Sequence, residues 1–220
     1  MASAYKIVYK GGTGEIVEKK SRFIANVFPV TDEEEALSII EQTKKKYWDA
    51  RHNCYAYIIG EDGRYQRCSD DGEPQGTAGR PMLDVIAGEK LCNVLVIVTR
   101  YFGGTLLGTG GLVRAYSQSV RAGIDASQIV LKSPAREVHI YTDYNGAGKL
   151  QYIMSANDIN VLDTIYTDKV EMIALVPEDM YGTIESKVNE ATSASALMED
   201  AGEIWYAILA DKSVHVFSED

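Results

Sequence analysis

The chain has 220 residues, 45% hydrophobic and 25% charged, the balance of an ordinary globular protein with one large domain or two small ones, so disorder is excluded as the default. Its formal charge of −10 is unevenly spread: residues 1–133 carry 17 Lys+Arg against 16 Asp+Glu, whereas residues 134–220 carry 5 against 16. A strongly acidic second half repels phosphate backbones, so any nucleic-acid contact is expected mainly from the first half, where Lys19, Lys20, Arg22, Lys44, Lys45, Lys46 and Arg51 cluster.

Met1–Lys6 lacks the apolar run of a secretory signal, and Val94–Val98 is too short to span a bilayer, which predicts a cytoplasmic protein without membrane contact. Tyr5–Tyr9, Gly14–Lys19 and Phe23–Val30 are rich in β-branched and aromatic residues and read as three antiparallel strands. A helix follows, with Thr31 as N-cap, Glu34 three residues on, and an apolar stripe of Ala36, Leu37, Ile39 and Ile40 running toward Trp48. The Lys44–Lys46 run reads as its solvated face. Cys54–Gly60 and Tyr65–Ser69 form a hairpin about Glu61-Asp62-Gly63, and Thr77 caps a second helix reaching Gly88 with Pro81 in its first turn. Asn93–Arg100 is continuously aliphatic and reads as a buried strand. Gly110–Ala126 carries Leu112, Val113, Tyr116, Val120 and Ile124 at helical spacing, and Ile129–Lys132 is a short returning strand.

Ser133-Pro134, where the charge balance changes, marks a linker between a first domain, residues 1–133, and a second, residues 134–220. Arg136–Thr142, Asn145–Asn157, Asn160–Thr167, Val170–Val176, Pro177–Thr192 and Ala196–Leu209 then alternate as strand, helix, strand, strand, helix, strand. That is the β-α-β-β-α-β order of ferredoxin-like domains, so the fold class is α+β.

Two glycine-rich loops dominate the first domain: Ser69–Gly79, containing Asp70-Asp71-Gly72-Glu73-Pro74, and Thr99–Gly111. Each leads into a helix, whose first amides favour an anion. The predicted contact surface comprises Asp70, Asp71, Gly76, Thr77, Gly79, Arg100, Tyr101, Gly103, Gly104, Gly110, Gly111, Arg114 and His52. Asp70, Asp71 and Glu73 could hold Mg²⁺ beside a phosphate seated on the amides of Gly76 to Gly79, or the same run could be a turn whose carboxylates cap those amides. Arg100 and Arg114 could converge on RNA phosphate or a partner's carboxylate, or Arg100 could pair internally with Asp70 or Asp71. Tyr101 and Phe102 could stack on bases, one of the two being expected in the core. His52 beside Asn53 reads as a hydrogen-bonding structural residue, and His52, His139 and His215 are too dispersed for a metal triad. Cys54, Cys68 and Cys92 form no C-x-x-C pair and read as reduced core residues without zinc. No G-x-x-x-x-G-K-[ST] is present and Gly108-Thr109-Gly110-Gly111 does not fit G-x-G-x-x-G, so no cofactor is expected. Ser69, Ser117 and Cys68 lack a nucleophile elbow, and no catalytic residue is assigned.

Val98-Thr99-Arg100-Tyr101-Phe102-Gly103-Gly104-Thr105-Leu106-Leu107-Gly108 resembles the IMPACT family, specifically its bacterial two-domain YigZ-like branch. Asp70–Pro74 with Gly79, Pro81 and Leu83, Lys20–Ala25, and His52–Ala56 resemble further blocks of that family. The resemblance implies a first domain folded like the second domain of a small-subunit ribosomal protein, a fold shared with elongation factor G and small-molecule kinases. It implies a second domain like the ferredoxin-like domain V of elongation factor G. Eukaryotic relatives bind the ribosome-associated activator of the amino-acid-starvation kinase and so restrain phosphorylation of an initiation factor, a partner not expected in bacteria. The leading expectation is therefore a non-enzymatic translation-linked factor that binds RNA, the ribosome or a translation-associated protein through its first domain. Two alternatives stand beside it: a small-molecule phosphotransferase using Asp70 or Asp71 with Mg²⁺, and a protein-interaction module whose acidic second domain docks a basic partner.

Overall fold

The computed structural model describes residues 3–217; Met1 and Ala2, part of the amino-terminal stretch read above, and residues 218–220 lie outside the described residues. The α+β architecture is present as two compact units, one built from residues 5–131 and one, among the described residues, from residues 3–4 and 132–217.

In the first unit, strands β2 (Thr13–Glu18), β3 (Ser21–Pro29), β4 (His52–Ile59), β5 (Tyr65–Ser69) and β7 (Val94–Tyr101) form one antiparallel sheet in the order β2-β3-β7-β4-β5. The central strand β7 explains its own continuous hydrophobicity, because successive side chains alternate between faces and both faces are covered. Val94, Val96 and Val98 pack under helices α2 (Gly79–Gly88) and α3 (Thr109–Asp125), while Leu95 and Ile97 pack under α1 (Glu33–Lys46).

Strand β1 (Tyr5–Lys10) departs from expectation by pairing in parallel with the two-residue strand β6 (Leu91–Cys92) instead of with β2. The chain does not double back at Gly11-Gly12: Gly12 accepts from the Val27 amide and donates to Ser127 Oγ, each at 3.0 Å, and these bonds carry it across the sheet. The cap of α1 is Asp32 and not Thr31, with the Asp32 carboxylate accepting from the Glu35 amide at 2.8 Å and Glu35 reaching back to the Thr31 amide at 2.8 Å. The buried face of α1 is Ala36, Ile40 and Thr43, a stripe whose next member is position 47; Trp48 falls one residue off it and is 82% exposed. Of the cysteines, all free, only Cys54 is fully buried.

The second unit has the expected ferredoxin-like order. Strand β8 (Gln128–Thr142), which enters this unit at Lys132, is followed by α4 (Tyr144–Ala156), β9 (Asn160–Tyr166), β10 (Val170–Val176), a single 3-10 turn over Glu178–Met180, α5 (Tyr181–Thr192) and β11 (Leu197–Ile208). The strands pair antiparallel as β9-β10-β8-β11, and a strand missed in the sequence, β12 (Val214–Phe217), adds to β11. Val138, Ile140, Met172, Ala174 and Val176 of the sheet meet Leu150, Met154, Ile184 and Val188 of the helices. No loop interrupts the strand at Ser133-Pro134, since both lie inside β8 opposite Tyr206 and Trp205, while the division into units falls close by, between Leu131 and Lys132. Proline's fixed φ suits an extended strand and costs only a donor.

Candidate functional site

Strand parity places the central residue of the site. Arg100 continues the Val94, Val96, Val98 side of β7 and therefore enters the space beneath α2 and α3, whereas Tyr101 turns to the α1 side. Arg100 is only 6% exposed, and its Nη1 donates to Glu73 Oε1 at 2.7 Å. The Tyr116 hydroxyl of α3 donates to the same oxygen at 2.8 Å. The guanidinium lies 5.3 Å from the Phe23 ring and 5.7 Å from that of Phe102, and its buried Nε has no partner among the described residues. Cys54 completes the cluster, donating to the Asp70 carbonyl at 3.0 Å and lying 3.3 Å from the Tyr116 hydroxyl. Burial pushes the Cys54 thiol up to about 12, and burial together with Cys54 and Glu73 pushes the Tyr116 hydroxyl far above its ordinary value, so neither is a nucleophile at neutral pH. The partner of Arg100 is thus Glu73, correcting the expected Asp70 or Asp71. The acid three positions along the same turn reaches inward because Asp70 and Asp71 are held elsewhere.

The Ser69–Gly79 loop closes on itself. Asp70 Oδ1 accepts from the amides of Ala78 and Gly79 at 2.9 and 2.8 Å, and Oδ2 accepts from Gly76 at 2.8 Å. Burial opposes ionisation of Asp70, but the amides of Gly76, Gly79 and Ala78 outweigh it and hold the carboxyl below its usual range. Asp70 therefore does from a distance what Thr77 was expected to do as N-cap; Thr77 instead donates its hydroxyl to the Pro74 carbonyl at 2.7 Å. Asp71 accepts from the Asn53 amide at 2.7 Å and pairs with Lys44 at 2.6 Å, while its carbonyl meets His52 Nδ1 at 3.0 Å. The amides read as a phosphate cradle are filled by a carboxylate of the chain itself. Of the two alternatives for this run, a Mg²⁺ site or a turn whose carboxylates cap amides, the hydrogen bonds are those of the turn: both aspartates are engaged by backbone amides, and Asp71 also by Lys44.

The second loop is open. Neither Tyr101 nor Phe102 is core: Tyr101 is half-buried, donates to Asp49 Oδ1 at 2.9 Å and sits under Arg22, and Phe102 is 52% exposed. Leu106 is 82% exposed, and Gly104 and Gly108 take φ of +84° and +72°. Gly108 caps α3 without a side chain, and its carbonyl takes the Leu112 amide, so the amides of Thr109, Gly110 and Gly111 have no acceptor among the described residues. Arg114 is exposed with no ion pair among the described residues, and its Nη1 lies 3.9 Å from where a Cβ on Gly110 would stand. The Lys19-Lys20 turn, both residues at positive φ, packs against this loop. Gly103 makes that approach possible: its amide donates to Ser21 Oγ at 3.1 Å, and a Cβ on it would stand 2.0 Å from the Lys20 carbonyl carbon. Backbone meeting backbone cannot be relieved by a rotamer change. Gly103→Ala is expected to cost about 2 kcal/mol or more and to expose the loop to limited proteolysis, checked by thermal unfolding and protease nicking.

Of the predicted contact residues, Asp70, Asp71, Gly76, Thr77, Gly79, Arg100 and His52 are gathered into an internal framework, and Gly104, Gly110, Gly111 and Arg114 line the open loop. Glu73, considered only beside Asp70 and Asp71, and Tyr116, considered only as part of a helix's apolar face, were not expected to meet Arg100; the inward parity of Arg100 was the available signal that a buried acid had to meet it. Among the described residues, no helix is long and apolar enough to cross a membrane.

The fold and site define an α+β protein of two units, in which a buried ion pair ties down one glycine-rich loop and leaves another presented on the surface. The chain belongs to the IMPACT family: residues 19–124 match the Impact N-terminal domain, and residues 140–195 match a domain of unknown function, DUF1949. It is 38% identical over 206 residues to IMPACT family member YvyE of Bacillus subtilis (strain 168), covering 94% of each chain. It is 32% identical over 179 residues to IMPACT family member YigZ of Escherichia coli (strain K12), covering 80% of this chain and 88% of the relative. A solved structure described as that of an hypothetical protein matches with TM-score 0.59 at 30% identity, covering 90% of this chain and 97% of the other.

Proposed function

We propose that this chain is a non-enzymatic cytoplasmic factor linked to translation, whose first domain, residues 1–133, binds RNA, free or within the ribosome, with residues 134–220 as an accessory domain. The observation that carries the reading is the open start of α3: unpartnered amides at Thr109–Gly111 beside an unpaired Arg114, with Lys19 and Lys20 packed against the same loop. Amides at a helix start and free cations suit a phosphate group. The near-neutral charge of the first half leaves this local excess unopposed, while three free cysteines suit a reducing compartment. The exposed side chains of Phe102 and Leu106 favour a second reading, in which a translation-associated protein meets the same loop. A phosphotransferase is disfavoured because Asp70 and Asp71 are both engaged.

The test is co-sedimentation with ribosomes at several salt concentrations. Arg114→Ala, at an exposed position, is expected to weaken binding about three- to tenfold and to lower the salt slope by about one. Equal pelleting of wild type and variant at every salt concentration would count against this surface. Pelleting that survives nuclease treatment of the ribosomes selects the protein partner.

A further inference from the structure

The first unit leaves its only tryptophan in solvent. Trp48 stands just past the carboxyl end of α1, in a turn closed by the Ala50 amide donating to the Tyr47 carbonyl at 3.0 Å. Solvated lysines at a helix end need no explanation, because they complement the helix dipole. An indole held there without burial does.

Its surroundings are selectively basic. Lys45, Lys46 and Arg51 are exposed and make no ion pair with a carboxylate among the described residues; Lys46 lies 5.1 Å over the Tyr47 ring. Of the nearby acids, Asp71 is paired with Lys44, while Asp49 accepts from the Tyr101 hydroxyl and keeps its charge, so Lys45, Lys46 and Arg51 outnumber the one local carboxylate by three to one. The Asp49 bond also ties the Trp48 turn to the end of β7, where the half-exposed Phe102 ring begins the open loop. An exposed ring beside a net excess of cations complements a polyanion whose units carry flat aromatic faces.

We propose that the Tyr47–Arg51 turn is a base-stacking site for single-stranded RNA. Trp48 stacks on an unpaired base, and Lys45, Lys46 and Arg51 hold the flanking phosphates. The proposal rests on the RNA reading above and extends it, naming the strandedness of the ligand and a contact separate from Arg114. Stacking on tryptophan is tolerant of base identity, so discrimination falls on single strands over duplexes and not on sequence.

The experiment is fluorescence anisotropy of a labelled twelve-nucleotide oligouridylate, and of a labelled RNA duplex of the same length, with the full chain at low salt. Wild type is expected to prefer the single strand. Trp48→Ala should weaken that binding about tenfold with the salt slope unchanged, and Trp48→Phe should retain most of it. Lys45→Ala with Lys46→Ala should instead lower the salt slope by about one to two. The melting temperature of Trp48→Ala should match wild type, because the side chain is exposed. Equal affinity of wild type and Trp48→Ala, with Arg114→Glu still weakened, would overturn the stacking site and leave the RNA reading intact. Equal affinity for single strand and duplex would likewise overturn it. Absence of wild-type binding to either RNA and to ribosomes would remove both readings together.

Discussion

Arg100→Ala is expected to destabilise the first unit by about 3–5 kcal/mol, the cost of removing one partner from a buried ion pair. Glu73 would keep the Tyr116 hydroxyl but lose the guanidinium, leaving a carboxylate that is only 8% exposed without its counter-charge. The Phe23 and Phe102 rings would also lose the planar group between them. Urea unfolding followed by far-UV circular dichroism measures the loss. Arg100→Met combined with Glu73→Gln removes both charges while keeping volume and an acceptor for Tyr116, so the pair should lose much less than the sum of the two single changes. A double variant as unstable as that sum would show that the charges act independently and that the network is not a unit. The consequence for function is direct: reduced ribosome binding by Arg100→Ala reports a collapsed loop, whereas Arg114 and Trp48, both on the surface, report contacts.

Much of this was legible in the sequence, and the failures have physical causes. The aliphatic run of β7 required burial on both faces, and its parity required Arg100 to point inward. What no local pattern could supply was which of Asp70, Asp71 and Glu73 would meet it, because that depends on how Asp70 and Asp71 are used by amides contributed by Gly76, Ala78, Gly79 and Asn53. The glycine content of Ser69–Gly79 and Thr99–Gly111 looked alike, yet one loop has an internal carboxylate within reach of its amides and the other does not. Trp48 was misread because it follows an apolar stripe by a single residue, about 100° of helical rotation from the buried face. Pro134 was misread as interrupting the strand, because proline's missing donor does not prevent an extended conformation in β8, whereas the change in charge lies within a few residues of the division between Leu131 and Lys132.

Asp70 offers the other large effect. Asp70→Ala leaves the amides of Gly76, Ala78 and Gly79 without their carboxylate, and the expected loss is about 2–4 kcal/mol, above that of an ordinary cap because three donors share one charged acceptor. The pH dependence has a definite sign. The folded-state pKa of Asp70 lies below its ordinary 3.8, so the folded chain binds fewer protons there than the unfolded one. The stabilisation is therefore complete above the unfolded value and is lost as pH falls through the folded value. Wild type and Asp70→Asn should differ most in melting temperature near neutrality and converge as the pH is lowered below the ordinary carboxylate range, as scanning calorimetry would show. A difference that stays constant with pH would mean that the charge of Asp70 contributes nothing to the closure. A further consequence separates a closed loop from an incapable one. If the amides of Gly76 to Gly79 lack a phosphate-binding role only because Asp70 fills them, inorganic phosphate should raise the melting temperature of Asp70→Ala more than that of wild type, in which only the open start of α3 offers free amides.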